Sequence, residues 1–186
     1  MVPVASLWIP IVLSAALVFV ASALLHMVLT YHRSDFGPMP DEDRVMGLLR
    51  EVGVGSGDYM VPHAATPEAM KDPAFVEKRE RGPVAVITVF KGSGSMGTSL
   101  AQWFVFCLVV SVFAAYVAGR ALGPGAEYLD VFRFSGTTAF AGYALAQWQN
   151  SIWYKRPWST TIKNTVDGLI YALLTAGVFG WLWPAS

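Results

Sequence analysis

Four long stretches of this chain carry almost no charge, and that pattern constrains its fold more than any other feature. Arg33 is the only Asp, Glu, Lys or Arg before Asp35, and none occurs in 98–119, 134–154 or 168–186. A helix needs roughly 20 apolar residues to cross the hydrocarbon of a bilayer. The four windows therefore predict an all-α membrane protein with four transmembrane helices. A small mixed α/β segment would lie on the cytoplasmic side between the first and second. The expected organisation is a first helix in 1–33, a cytoplasmic segment in 34–97 and a three-helix hairpin array in 98–186, together one compact unit.

Composition supports a lipid-embedded chain. Charged residues make up 14% and apolar residues 54% of the sequence, against about 25% charged in soluble domains. The formal net charge is zero, so no basic excess points to nucleic acid. The single cysteine, Cys107, lies in the second window and has no disulfide partner within the chain. It reads as a small packing side chain. The first window lacks a positively charged n-region and its apolar run exceeds that of a signal peptide. Residues 7–31 are accordingly read as a retained helix.

Four spans would put both ends of the chain on one side. Every Lys and Arg except Arg120 and Arg133 would then lie on the other side, in 33–97 or 155–163. The positive-inside rule makes that side cytoplasmic and both termini periplasmic, in a bacterial inner membrane. Trp8, Trp181 and Trp183 would mark the outer interface, and Tyr31, Trp153, Tyr154 and Trp158 the inner one.

The segment 34–97 reads as a small folded appendage. Asp41 is a candidate N-cap for a helix running to about Val52, with Val45, Leu48 and Leu49 on one side. A short strand is expected at 59–61. Thr66-Pro67-Glu68 suggests another helix start, with a restart at Asp72-Pro73 and an end at Gly82. Residues 83–90 (PVAVITVF) are too short to span and rich in β-branched side chains, as in a strand or a membrane-hugging segment. A two-stranded sheet alone is marginal, so the segment should rest on the helices or on a partner.

No motif here settles a chemistry. Gly53, Gly55 and Gly57 form G-x-G-x-G, but a helix precedes it and a strand follows, the reverse of a dinucleotide loop. In 92–98 (GSGSMGT), Thr98 stands where a phosphate-binding loop needs Lys. Asp58, Tyr59 and His63 are the one close acid–base grouping of the loop. No second His or Cys stands at metal-ligand spacing from His63, and no nucleophile–base pair is evident. The expected catalytic set and the expected metal site are therefore both none.

The apolar windows are more informative. Ser14, Ser22, His26 and Thr30 recur at multiples of four and so share a helix face. Tyr143, Gln147, Asn150 and Tyr154, at spacings of four, three and four, share a face in the same way. Gln102 lies near the inner end of the second window, and Asp167 and Tyr171 share a face at the start of the fourth. Together His26, Gln102, Gln147, Asn150, Asp167 and Tyr171 predict one intramembrane polar cluster in the cytoplasmic half. Such groups either hydrogen-bond across helices or line a functional vestibule. The outer half offers little beyond Ser111 and Tyr116, which favours the first reading. His26 is a weak candidate ligand for haem or a chlorophyll-type pigment. Ser111, Ala115 and Gly119, with Gly142 and Ala146, mark close helix contacts.

Residues 142–158 (GYALAQWQNSIWYKRPW), with 57–60 (GDYM) and Pro62-His63, resemble a family of small bacterial four-span inner-membrane proteins to which no activity is attached. The resemblance covers most of the chain and implies a bacterial inner-membrane origin. It carries no cofactor or catalytic residue. The function expected is that of a non-catalytic accessory subunit scaffolding a larger membrane complex. Respiratory and photosynthetic assemblies are the commonest of these. The alternative is a small transporter or membrane enzyme using the polar cluster. Expected partners are the lipid bilayer, bound lipid and other integral membrane subunits, with no nucleic acid.

Overall fold

The structure, a computed structural model, describes residues 1–186. In chain order its elements are α1 (Trp8–Ala23), α2 (Glu42–Glu51), β1 (Gly57–Val61), α3 (Pro73–Arg81), β2 (Ala85–Val89), α4 (Met96–Ala121), α5 (Tyr128–Tyr143), α6 (Trp148–Tyr154) and α7 (Trp158–Trp181). They fall into two compact units, one of Met1–Phe36 with Met96–Ser186 and the other of Gly37–Ser95.

The four expected spans are corrected to two. A 3-10 turn before α1 and a π turn after it extend that helix to Val4–Val28; with α4 it makes the pair long and apolar enough to cross a membrane. Only 28% of each apolar window is buried inside the protein, so both helices turn most of their apolar surface outward, unlike the core helix of a soluble domain. The third window fails because no single helix fills it. Helix α5 stops at Tyr143, a 3-10 turn covers Leu145–Gln147, and α6 is 7 residues long. The fourth fails because Lys163 and Asp167 lie inside α7, whose first turns are also rich in Ser and Thr. The connection expected over 155–163 is correspondingly shorter, since α7 already begins at Trp158.

In the larger unit α1 packs on α4, α4 on α5, α5 on α7 and α7 on α1, with the α5–α7 interface the most extensive. Small residues make that interface close. A methyl built on Gly136 would lie 2.9 Å from Ala176 Cβ, and one built on Gly168 would lie 2.8 Å from Ala144 Cβ. The α1–α4 seam is built the same way. Ser14 Oγ donates to Ser111 Oγ at 3.0 Å, and the Val2 N–H donates to Gly119 O at 2.8 Å. The Gly125 N–H donates to Pro184 O at 2.8 Å and Trp183 Nε1 donates to Gly123 O at 2.9 Å. Both chain ends and the α4–α5 turn therefore gather at one end of this unit.

The smaller unit pairs β1 with β2 antiparallel, Gly57 opposite Val89 and Val61 opposite Ala85. Pro62 and Pro83 flank the pairing, as residues without an N–H must. Asp72 caps α3 by accepting from the Ala74 N–H at 2.8 Å, with Pro73 in the first position. Asp41 precedes α2 in the left-handed region (φ 50°) and its side chain caps nothing. Thr66 starts only the 3-10 turn Ala69–Lys71. No residue of Gly37–Ser95 is buried.

Candidate functional site

At the end of the larger unit opposite the chain termini, three elements bring titratable side chains together. Helix α1 loosens into the π turn Leu24–Val28, where the Leu29 N–H bonds Leu24 O at 3.1 Å. Such turns recur at functional positions. Leu29 is extended (φ −77°, ψ 143°), and the chain then makes a 3-10 turn over Tyr31–Asp35. This break folds His32 back beside His26, with ring centroids 4.2 Å apart and planes 29° apart. Helix α7 supplies Thr160, Lys163 and Asp167. Lys163 and Asp167 are four residues apart and so lie on one face.

Asp167 is the centre of the group and is only 2% exposed. Its Oδ1 accepts from the Tyr31 hydroxyl. Its Oδ2 lies 2.7 Å from His32 Nε2 and 3.6 Å from His26 Nε2. The other nitrogen of His32, Nδ1, lies 2.6 Å from Asp35 Oδ2. Lys163 Nζ spends its three donors on Asp35 Oδ1 at 2.8 Å, Tyr31 O at 2.7 Å and Ser34 Oγ at 2.8 Å. Thr160 Oγ1 adds a long bond to Asp35 Oδ1 at 3.4 Å. The result is a chain from Tyr31 through Asp167, His32 and Asp35 to Lys163.

Burial pushes the Asp35 carboxyl up, but the hydrogen bonds from His32 and Lys163 and their charges more than reverse this, so it is held below the usual carboxylate range. Burial, followed by the hydrogen bond to Asp167, pushes the Tyr31 hydroxyl well above its ordinary value, so it serves as a neutral donor. Two carboxylates face one ammonium.

The cluster overlaps only in part with the residues expected from sequence. His26 and Asp167 are in it. Tyr171 is buried one turn further along α7, its ring 5.5 Å from Tyr143 and 6.1 Å from Trp103, and its hydroxyl has no hydrogen-bond partner. Gln102 is exposed, Gln147 and Asn150 are half-buried, and none of the three hydrogen-bonds to the cluster. In the smaller unit Asp58 accepts from Thr88 Oγ1 at 2.7 Å and Tyr59 donates to Gly55 O at 3.1 Å. His63 is exposed beyond β1, and these three side chains make no bond to one another. Sequence reasoning missed His32, Asp35 and Lys163 and used Tyr31 only as an interface marker. The available signal was Asp167, since a carboxylate in an apolar helix needs a partner, together with the adjacent His-x-x-Asp of 32–35.

His26 Nε2, His32 and Asp167 present ligand-type atoms that all lie within 4.8 Å of one another. They are the residues of this chain able to hold a metal ion, whereas sequence spacing offered no such set. No family model, curated protein or solved structure matches this chain.

Proposed function

We propose that this chain is a non-catalytic accessory subunit of a larger bacterial inner-membrane complex. Helices α1 and α4 hold it in lipid, and residues 37–95 dock on a neighbouring subunit. The observation carrying this reading is that Gly37–Ser95 folds into two helices and a two-stranded antiparallel sheet without burying a single residue. A two-stranded sheet is marginal in water by itself, and Val86 in its second strand stands exposed, as do Val84 and Phe90 on either side of that strand. A covering surface supplies the missing burial. The distribution of Lys and Arg favours a cytoplasmic location for 37–95 and a periplasmic one for the chain ends. The exposed Trp8 and Trp181 at one end and Trp153 and Trp158 at the other fit interfacial belts.

The test is purification at native expression in mild detergent, with hydrogen exchange read at Gly57–Val61 and Ala85–Val89. Co-purification with larger subunits at fixed stoichiometry, and slow exchange only in that complex, is the expected result. A lone monomer in which these amides already exchange slowly overturns the reading. A second reading, a small membrane enzyme or transporter, draws on His26, whose side chain is 46% exposed beside the buried Asp167. It predicts that His26→Ala abolishes an activity while assembly survives.

A further inference from the structure

His32 is oriented as metal-bound histidines are. Its Nδ1 faces the Asp35 carboxylate at 2.6 Å, and Asp35 is fixed in turn by Lys163 at 2.8 Å. A carboxylate on the far nitrogen of a ligating imidazole sets its tautomer and turns the other nitrogen's lone pair toward the metal. That other nitrogen, Nε2, faces Asp167 Oδ2 at 2.7 Å. His26 aims its own Nε2 at the same oxygen from 3.6 Å, too far for a hydrogen bond. No hydrogen bond therefore accounts for the orientation of His26. Asp167 has its second oxygen tied to the Tyr31 hydroxyl, so Oδ2 is the oxygen turned toward both imidazoles.

The dimensions suit an ion. Metal–ligand bonds of about 2.0–2.1 Å in a tetrahedron put neighbouring ligand atoms about 3.3 Å apart. The two edges to Asp167 Oδ2, 2.7 and 3.6 Å, straddle that value, and the ligand atoms of the two imidazoles lie within 4.8 Å of each other. Seating an ion needs His32 and Asp167 to part by about 0.6 Å, a side-chain adjustment. Two nitrogens and one carboxylate oxygen are the donor set of zinc sites with an open position and of two-His-one-carboxylate iron sites. The half-exposed His26 would lie beside the open position. Two carboxyl groups against one ammonium also make the surroundings favourable to a cation.

We infer that His26, His32 and Asp167 form a binding site for one divalent first-row transition-metal ion, with Asp35 as the carboxylate that orients His32. This site is independent of whether the chain is an accessory subunit.

The test is titration of the chelator-stripped full chain in detergent with Zn2+ against a chromophoric chelator, and with Co2+ followed by its visible absorption. One ion per chain and a Co2+ spectrum of nitrogen–oxygen coordination are expected. His26→Gln, which alters a half-exposed ring, should weaken binding at least tenfold without loss of helicity. Asp35→Asn should weaken it by about 10–100-fold. His63→Ala removes the third and last histidine of the chain and should leave binding unchanged. The inference is overturned if the unmodified chain binds neither ion above the detergent background. It is equally overturned if affinity survives His26→Gln or is lost in His63→Ala.

Discussion

Placing the same substitution at two positions of α7 tests the packing of the bundle. A methyl on Gly168 would stand 2.8 Å from Ala144 Cβ and 3.3 Å from both Ala144 Cα and N. Carbon atoms in contact sit about 3.5–4.0 Å apart, so α7 and the break after α5 must separate by most of an ångström. Ala144 is completely buried and the obstacle includes backbone, so no rotamer change relieves the clash. Overpacking of this kind costs about 1–3 kcal/mol. Gly→Ala inside a helix returns about 1 kcal/mol, leaving Gly168→Ala destabilised by about 0–2 kcal/mol. A methyl on Gly177, in the same helix, meets nothing nearer than the Tyr128 hydroxyl at 3.8 Å. Gly177→Ala should therefore stabilise by up to about 1 kcal/mol. The assay is reversible SDS unfolding of the detergent-solubilised protein, followed by tryptophan fluorescence. Equal stabilisation by both substitutions would refute the close approach of α7 to Ala144.

Other substitutions probe single contacts, those in the larger unit by the same assay. Lys163→Met removes the ammonium that holds Asp35, Ser34 and the Tyr31 carbonyl, and should cost about 1.5–3 kcal/mol. Ser14→Ala breaks the bond to Ser111 and should cost only about 0.6 kcal/mol, as hydrogen bonds between membrane helices typically do; a loss several times larger would make that bond a principal clamp. In the smaller unit, Asp72→Ala removes the cap of α3 and should cost about 1 kcal/mol of local stability, read as faster amide exchange in Pro73–Arg81. No change in that exchange would count against the cap.

Some local signals in the sequence are legible because the chain there decides its own conformation. Asp72-Pro73 opens α3 and Gly82 closes it, because the cap and the proline act on neighbouring backbone. The β-branched run ending at Phe90 contains β2. Legibility ended where tertiary contacts decide. Residues 134–154 hold no charge and no proline, yet the helix breaks at Ala144, where Gly168 of α7 comes close enough to touch. Treating His26 as part of a helix continuing to Tyr31 hid the site. A regular helix would separate His26 from His32 by about 9 Å along its axis. The π turn and extended Leu29 instead stack their rings. Spacing by fours grouped His26 with Thr30, and nothing in that periodicity announces His32. From sequence Lys163 is one of the positive charges that orient the chain and Asp35 only the end of the first uncharged stretch, and their burial against each other follows only from the connector folding onto α7.

Side-specific labelling of single cysteines tests most directly whether α1 and α4 carry the chain across a bilayer. With Cys107→Ala as background, Ser56→Cys and Ser186→Cys are exposed reporters for the smaller unit and for the chain end. A membrane-impermeant maleimide applied to sealed right-side-out vesicles should label Ser186→Cys at once and Ser56→Cys only after permeabilisation. Immediate labelling of both would contradict two crossing helices with the intervening unit on the cytoplasmic side.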